Sequence, residues 1–175
     1  LGPSEWSGTG PPCERIAARD RGTSSLLWAL LVLWLTRGSA FSLAMQLQGV
    51  CACGECRVTA DAPAPKFSVY CHCTICRRIT GAPYTHFVGF QTDQVKLTAG
   101  EVRTWESTPG CSRSFCKVCG SGVFNECVIP GQEFRDVPAG TLYGNTDGEV
   151  PPAGNHIFYG NRVLDVKDGI KKWEG

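Results

Sequence analysis

Apolar positions along this chain come in short, broken runs. From Met45 onward they read Arg57-Val58-Thr59, Phe67-Ser68-Val69-Tyr70, His86-Phe87-Val88-Gly89-Phe90, Val95-Lys96-Leu97, Val102-Arg103-Thr104-Trp105, Gly122-Val123-Phe124 and His156-Ile157-Phe158-Tyr159. Runs rich in Val, Phe, Tyr and Thr between glycine and proline turn signals predict strands, and no segment holds a 3.6-residue period for three turns. The expected domain is therefore mostly β. Only Thr74 to Thr80 has the makings of a helical turn, and no repeat of 20 to 50 residues is present. Trp105, Phe124, Phe158 and Tyr159 are expected to fill the core between sheets.

Residues 1–44 read differently. A Gly, Ser and Pro-rich opening and three arginines (Arg15, Arg19, Arg21) lead into the apolar run Leu26 to Leu35, followed by small residues at Gly38, Ala40, Ser42 and Ala44. The run is too short to cross a hydrocarbon core, which needs about 20 residues. Two readings stay open: a secretory signal with its cleavage region, or upstream sequence that is not translated, since Met45 is the only methionine. Either way the working domain is expected to be 45–175.

The composition of the 175-residue chain is that of an ordinary globular domain, with 42% apolar and 19% charged residues. Its 17 Lys and Arg against 16 Asp and Glu give a net charge of +1, so no basic excess is available for a phosphate backbone and nucleic acid is not an expected partner. Eleven cysteines are the outlier. Their spacing defines three groups: Cys51-Ala52-Cys53-Gly54, then Cys71-His72-Cys73-Thr74-Ile75-Cys76, then Cys116-Lys117-Val118-Cys119-Gly120.

Thiolates two or three positions apart can bend onto one ion at the ~2.3 Å zinc–sulfur distance. Gly54 and Gly120 stand where the turn after the second sulfur needs a positive φ. Cys51, Cys53, Cys116 and Cys119 supply a closed site of four thiolates, a structural zinc; Cys53, Cys56, Cys116 and Cys119 are a rival set. The middle group offers three thiolates, Cys71, Cys73 and Cys76, and so leaves a fourth position for water or substrate. Disulfides are the alternative, but bridges within Cys51-Ala52-Cys53 or Cys116-Lys117-Val118-Cys119 would close small strained rings. Cys13, Cys111 and Cys127 read as buried or incidental thiols.

His72, between two ligands, is expected to support them or lie at the surface rather than bind metal. Arg77, Arg78 and Arg113 flank the thiolates and either stabilise their charge, bind a substrate carboxylate or are simply solvated. His86 and His156 read as packed, hydrogen-bonded histidines, with acid–base work as the alternative.

The order of these motifs, with Arg77-Arg78, Gly81-Ala82-Pro83, Arg113-Ser114-Phe115 ahead of the last pair, and Gly140-Thr141-Leu142, His156-Ile157-Phe158 and Asp168-Gly169-Ile170 in the tail, resembles the glutathione-dependent formaldehyde-activating enzyme family, which includes centromere protein V. The resemblance covers Met45 to Gly175. It implies a β-tent fold in which zinc sites join antiparallel sheets, one structural zinc on Cys51, Cys53, Cys116 and Cys119, and a second zinc on Cys71, Cys73 and Cys76. The activity it implies is that of a carbon–sulfur lyase joining formaldehyde to the glutathione thiol, or the reverse; Arg77 and Arg113, from their places beside the thiolates, are then the candidates for binding a glutathione carboxylate. Tyr143 departs from the pattern, standing where many members carry Asp.

A second class of function, a non-catalytic zinc module that binds a protein partner, fits the same residues if Cys111, Cys127 or His72 closes the middle site. Thiolate ligands favour a reducing compartment, so the expected location is the cytoplasm, without stable membrane insertion of the domain.

Overall fold

The computed structural model of the chain describes residues 45–144 and 149–175. The signal-like extension 1–44, with Cys13, lies outside the described residues, as does the Tyr143 side chain. Among the described residues, no helix is long and apolar enough to cross a membrane.

Two sheets carry the fold. The smaller has the order β10-β1-β2-β5, built from β1 (Met45–Val50), β2 (Arg57–Ala62), β5 (Val95–Ala99) and β10 (Leu142–Gly144). The larger runs β12-β11-β3-β4-β9-β8-β7-β6. Its members are β3 (Phe67–Cys71), β4 (Thr85–Phe90), β6 (Val102–Thr108), β7 (Cys111–Cys116), β8 (Gly122–Ile129), β9 (Gln132–Pro138), β11 (Asn155–Ile157) and β12 (Lys171–Lys172). Pairing is antiparallel except where β11 lies parallel to β3 and to β12. Every run read as a strand overlaps one, although His156 to Tyr159 leaves its strand after Ile157, and Thr74–Thr80 is the helix α1.

Strict alternation explains β2: Val58, Ala60 and Ala62 are buried while Arg57 and Asp61 are exposed. Those side chains, with Leu47 and Val95, meet Val88, Phe90, Val123, Phe124 and Val137 of the larger sheet in the main core. The two sheets converge, as the β-tent reading expects, with Cys51, Cys56 and Cys116 in that same core.

Two core assignments fail. Phe124 and Tyr159 are buried, but Trp105 is 52% and Phe158 43% exposed. Trp105 sits on β6, an edge strand with one neighbour, and Phe158 caps a 3-10 turn with a left-handed backbone (φ 54) that turns its ring outward. Cys111 and Cys127 are not incidental thiols: they stand directly opposite on β7 and β8 and form a cross-strand disulfide. Sixteen residues of sequence separation hid a pairing that only the hairpin register brings about.

Candidate metal centres

The four-thiol centre forms where a hairpin of each sheet ends. Past β1 the chain turns through Cys51 to Gly54, closed by Gly54 N–H donating to Cys51 O at 2.9 Å; past β7 it turns through Cys116 to Gly120, closed by Gly120 N–H donating to Cys116 O at 3.0 Å. Both glycines have positive φ, 81° and 75°, as their places after the second sulfurs require. Cys51, Cys53, Cys116 and Cys119 thereby bring four sulfurs within 4.8 Å of one another. Cys51 Sγ lies 3.5 Å from Cys53 Sγ, and Cys53 Sγ 3.8 Å from Cys116 Sγ. A tetrahedron with ~2.3 Å arms has edges of about 3.8 Å, so the donors fit one zinc-sized ion.

Cys56 stays out of this set. Its side chain is fully buried, its thiol donates to Glu101 O at 3.2 Å, and its backbone N–H donates to Cys51 Sγ at 3.1 Å. Burial pushes the Cys56 thiol up to about 12. Cys119, held by the Ser121 hydroxyl and backbone N–H, is brought down to about 5.

Cys71, Cys73 and Cys76 form the second centre, with Cys71 Sγ and Cys76 Sγ 3.6 Å apart. Cys71 ends β3, and Cys73 is the N-cap of α1, its sulfur accepting from Cys76 N–H at 3.3 Å. The cap therefore places two of the three sulfurs. Thiol hydrogen bonds from Cys71 and Cys76, then the Cys76 N–H and the Arg113 charge, hold Cys73 down at about 2 against its burial. Hydrogen bonding to its neighbours and burial push Cys71 up.

Among the described residues no fourth His, Cys, Asp or Glu joins the trio. Cys111 and Cys127 are bonded to each other. His72 is fully buried, not at the surface, and its Nε2 lies 2.8 Å from His156 Nδ1. His156, also fully buried, reaches Asp168 Oδ2 at 2.8 Å through Nε2. His86 is half-buried and lies 2.7 Å from the Ser68 hydroxyl, outside both centres, and burial lowers its pKa.

Strand register shows what shares a face with Cys71, since residues opposite one another project the same way and alternate residues repeat it. Phe67, two pairs along β3 from Cys71, opens a row that crosses Gly89 on β4, Asp136 on β9, Asn125 on β8, Arg113 on β7 and Trp105 on β6. Asp136 and Asn125 carried no signal in the sequence. Asp136 is 5% exposed, and Asn125 Nδ2 donates to its Oδ1 at 2.5 Å. Burial raises the Asp136 carboxyl to about 7 against the pull of Asn125 and Arg113, and the Cys73 charge adds to the rise.

The arginines separate. Arg113 Nε donates to the Ser107 hydroxyl at 3.3 Å, and its charge acts on Cys73, Cys76 and Asp136. Arg77 Nε donates to His72 O at 3.2 Å. Arg77 and the exposed Arg78 line an open cavity of about 300 Å³ with Gly81, Ala82, Pro83 and Val163.

Sheets joined by four converging thiols, with three more on one face of the longer sheet, define a small cysteine-rich β domain with two centres able to hold metal. A model of the family described as glutathione-dependent formaldehyde-activating enzyme matches residues 46–161, and the chain belongs to that family. A crystal structure of a Rhodobacter sphaeroides protein, a structural genomics target, is similar at 19% identity and a TM-score of 0.44, spanning 59% of this chain and 97% of that one. No curated protein sequence matches the chain.

Proposed function

We propose that residues 45–175 are a zinc-dependent carbon–sulfur lyase that forms or cleaves S-hydroxymethylglutathione or a related thiol adduct. The observation that carries this reading is the trio Cys71, Cys73 and Cys76, converging without a fourth donor among the described residues. Of the three candidates for closing the site, Cys111 and Cys127 are bonded to each other and His72 does not converge with the trio, which favours the lyase over a closed, non-catalytic zinc module. Cys71, Cys73 and Cys76 would hold a zinc ion, which would supply Lewis acidity toward a thiolate or an aldehyde oxygen. The chain's own residues do the rest. Arg113 favours negative charge on the sulfurs beside it, and Arg77, with the cavity it lines, offers a carboxylate of glutathione a cationic partner. Holding thiol and aldehyde together removes most of the entropic barrier to addition.

The same reading places the protein in the cytoplasm, where zinc thiolates persist. The Cys111–Cys127 disulfide argues for an oxidising compartment instead. Alkylation of the native protein at those two positions decides: modified thiols support the cytoplasm, and an intact bridge refutes it.

Two measurements test the function. Metal analysis of the purified domain is expected to give two zinc ions per chain, and one in Cys73→Ser. Exchange NMR between formaldehyde hydrate and its glutathione adduct is expected to show acceleration proportional to protein concentration, lost in the same variant. Two bound ions without acceleration would leave a zinc module and sink the lyase.

A further inference from the structure

Beyond the sulfurs, a hydrogen-bond chain that the proposed chemistry does not use runs inward from the surface to two buried imidazoles. Lys172 Nζ donates to Asp168 Oδ1 at 3.1 Å; Asp168 Oδ2 faces His156 Nε2 at 2.8 Å; His156 Nδ1 faces His72 Nε2 at 2.8 Å. Both imidazoles are fully buried, boxed by the rings of Tyr70, Tyr84 and Tyr159 at centroid distances of 4.9 to 6.0 Å. The chain ends inside the ligand loop, because His72 is the residue between Cys71 and Cys73.

Its polarity is fixed from the far end. The His156 and Lys172 contacts hold the Asp168 carboxyl well below the usual carboxylate range, so it only accepts. With both rings neutral, His156 carries its proton on Nε2 and presents Nδ1 as an acceptor, and His72 carries its proton on Nε2. His72 Nδ1 is left without a hydrogen, and it has no partner among the described residues. The loop is tied at its backbone too: His72 N–H donates to Ile157 O at 3.0 Å, and β11 pairs with Cys71 through Ile157. The segment 155–172 thus holds the loop through both main chain and imidazole.

We propose that His156 and Asp168 are positioning residues for the three-cysteine centre, orienting its loop through His72 and so setting how tightly that centre, and not the four-cysteine one, retains its metal. The inference rests on the proposed function in one respect, that the trio binds metal. Partners that orient ligands from behind are commonly worth 10- to 100-fold in metal affinity. Here they act on a loop whose three donors are joined by no fourth among the described residues.

Asp168→Asn is the informative change. Its single carbonyl oxygen stays with Lys172 Nζ and the Ile170 N–H, both of which donate to Oδ1 at 3.1 Å. Its amide group then faces His156 and donates, which reverses both imidazole tautomers. Apo protein is titrated with Co²⁺, whose thiolate charge-transfer bands report each centre, and ¹⁵N NMR reads the His72 nitrogens in the same samples. The expected result is an unchanged first equivalent, a second equivalent weakened about 10- to 100-fold, and a His72 proton moved from Nε2 to Nδ1. If Asp168→Asn does not fold, Lys172→Met keeps the hydrogen bonds between the buried rings and is expected to weaken the second equivalent several-fold. Equal second affinities in wild type and the folded variant overturn the proposal. A wild type that takes up only one equivalent overturns the metal reading itself, and the positioning role with it.

Discussion

At Asp136 the Asn125 amide satisfies one carboxyl oxygen, and among the described residues no other hydrogen bond reaches the group. Burial raises it from 3.8 to about 7. Because the folded state binds this proton more tightly than the unfolded chain does, the group's contribution to stability is fully present below about pH 4 and is lost as pH rises through about 7. The loss amounts to about 4 kcal/mol at most. Asp136→Asn should abolish it: urea midpoints of wild type and variant, compared at matched pH from 5 to 8.5, are expected to diverge in the variant's favour as pH rises. Parallel curves would mean that Asp136 is not held protonated. Arg113, Cys73 and Asn125 are the neighbours that act on it, on the face of the sheet that carries the sulfur trio.

In α1 one side chain has two tasks. Cys73 is both N-cap and member of the sulfur trio, and the seven-residue helix has no acidic residue in its first turn to share the capping. Serine is a good N-cap and alanine a poor one, at a difference of about 1 kcal/mol. Cys73→Ser should therefore lose the second ion while keeping its helix. Cys73→Ala should lose both and melt earlier, a gap that paired denaturation curves read directly. The turns of the four-thiol centre make a similar demand on backbone. A Cβ at Gly120 meets nothing within 4 Å, so Gly120→Ala tests conformation alone. It should cost about 1 to 2 kcal/mol with the zinc count unchanged.

Across the two sheets, stability depends on the main apolar core and on the point where a hairpin of each sheet ends. Leu47 is 1% exposed in that core, and Leu47→Ala is expected to cost about 2 to 5 kcal/mol in equilibrium unfolding. The four-thiol centre draws on turns that end strands of different sheets, β1 and β7. Metal bound to the folded arrangement alone stabilises it by mass action, so a strong chelator should lower the melting temperature sharply in wild type. In Cys73→Ser, which keeps this centre, the chelator should lower it by a similar amount. A melting temperature indifferent to chelation would remove the structural role of the four thiols.

Legibility followed the range of the interactions. Strands β2, β3 and β4 showed in short runs of β-branched and aromatic residues between turn signals, α1 in the stretch that overlaps the end of a cysteine cluster, and both sulfur groups in spacings of two and three residues, because each is decided by neighbours along the chain. Strands β7 and β9 were missed because their runs, Cys111–Cys116 and Gln132–Pro138, are polar and gain their place from flanking strands. The choice of Cys51 over Cys56, the Cys111–Cys127 bridge, the burial of Asp136 and the line from Lys172 to His72 were settled only by tertiary structure. Sequence by itself determined which atoms were available to bind metal. Which of them meet, and which charges lose their water, depends on sheet register between distant segments, and no local pattern encodes that.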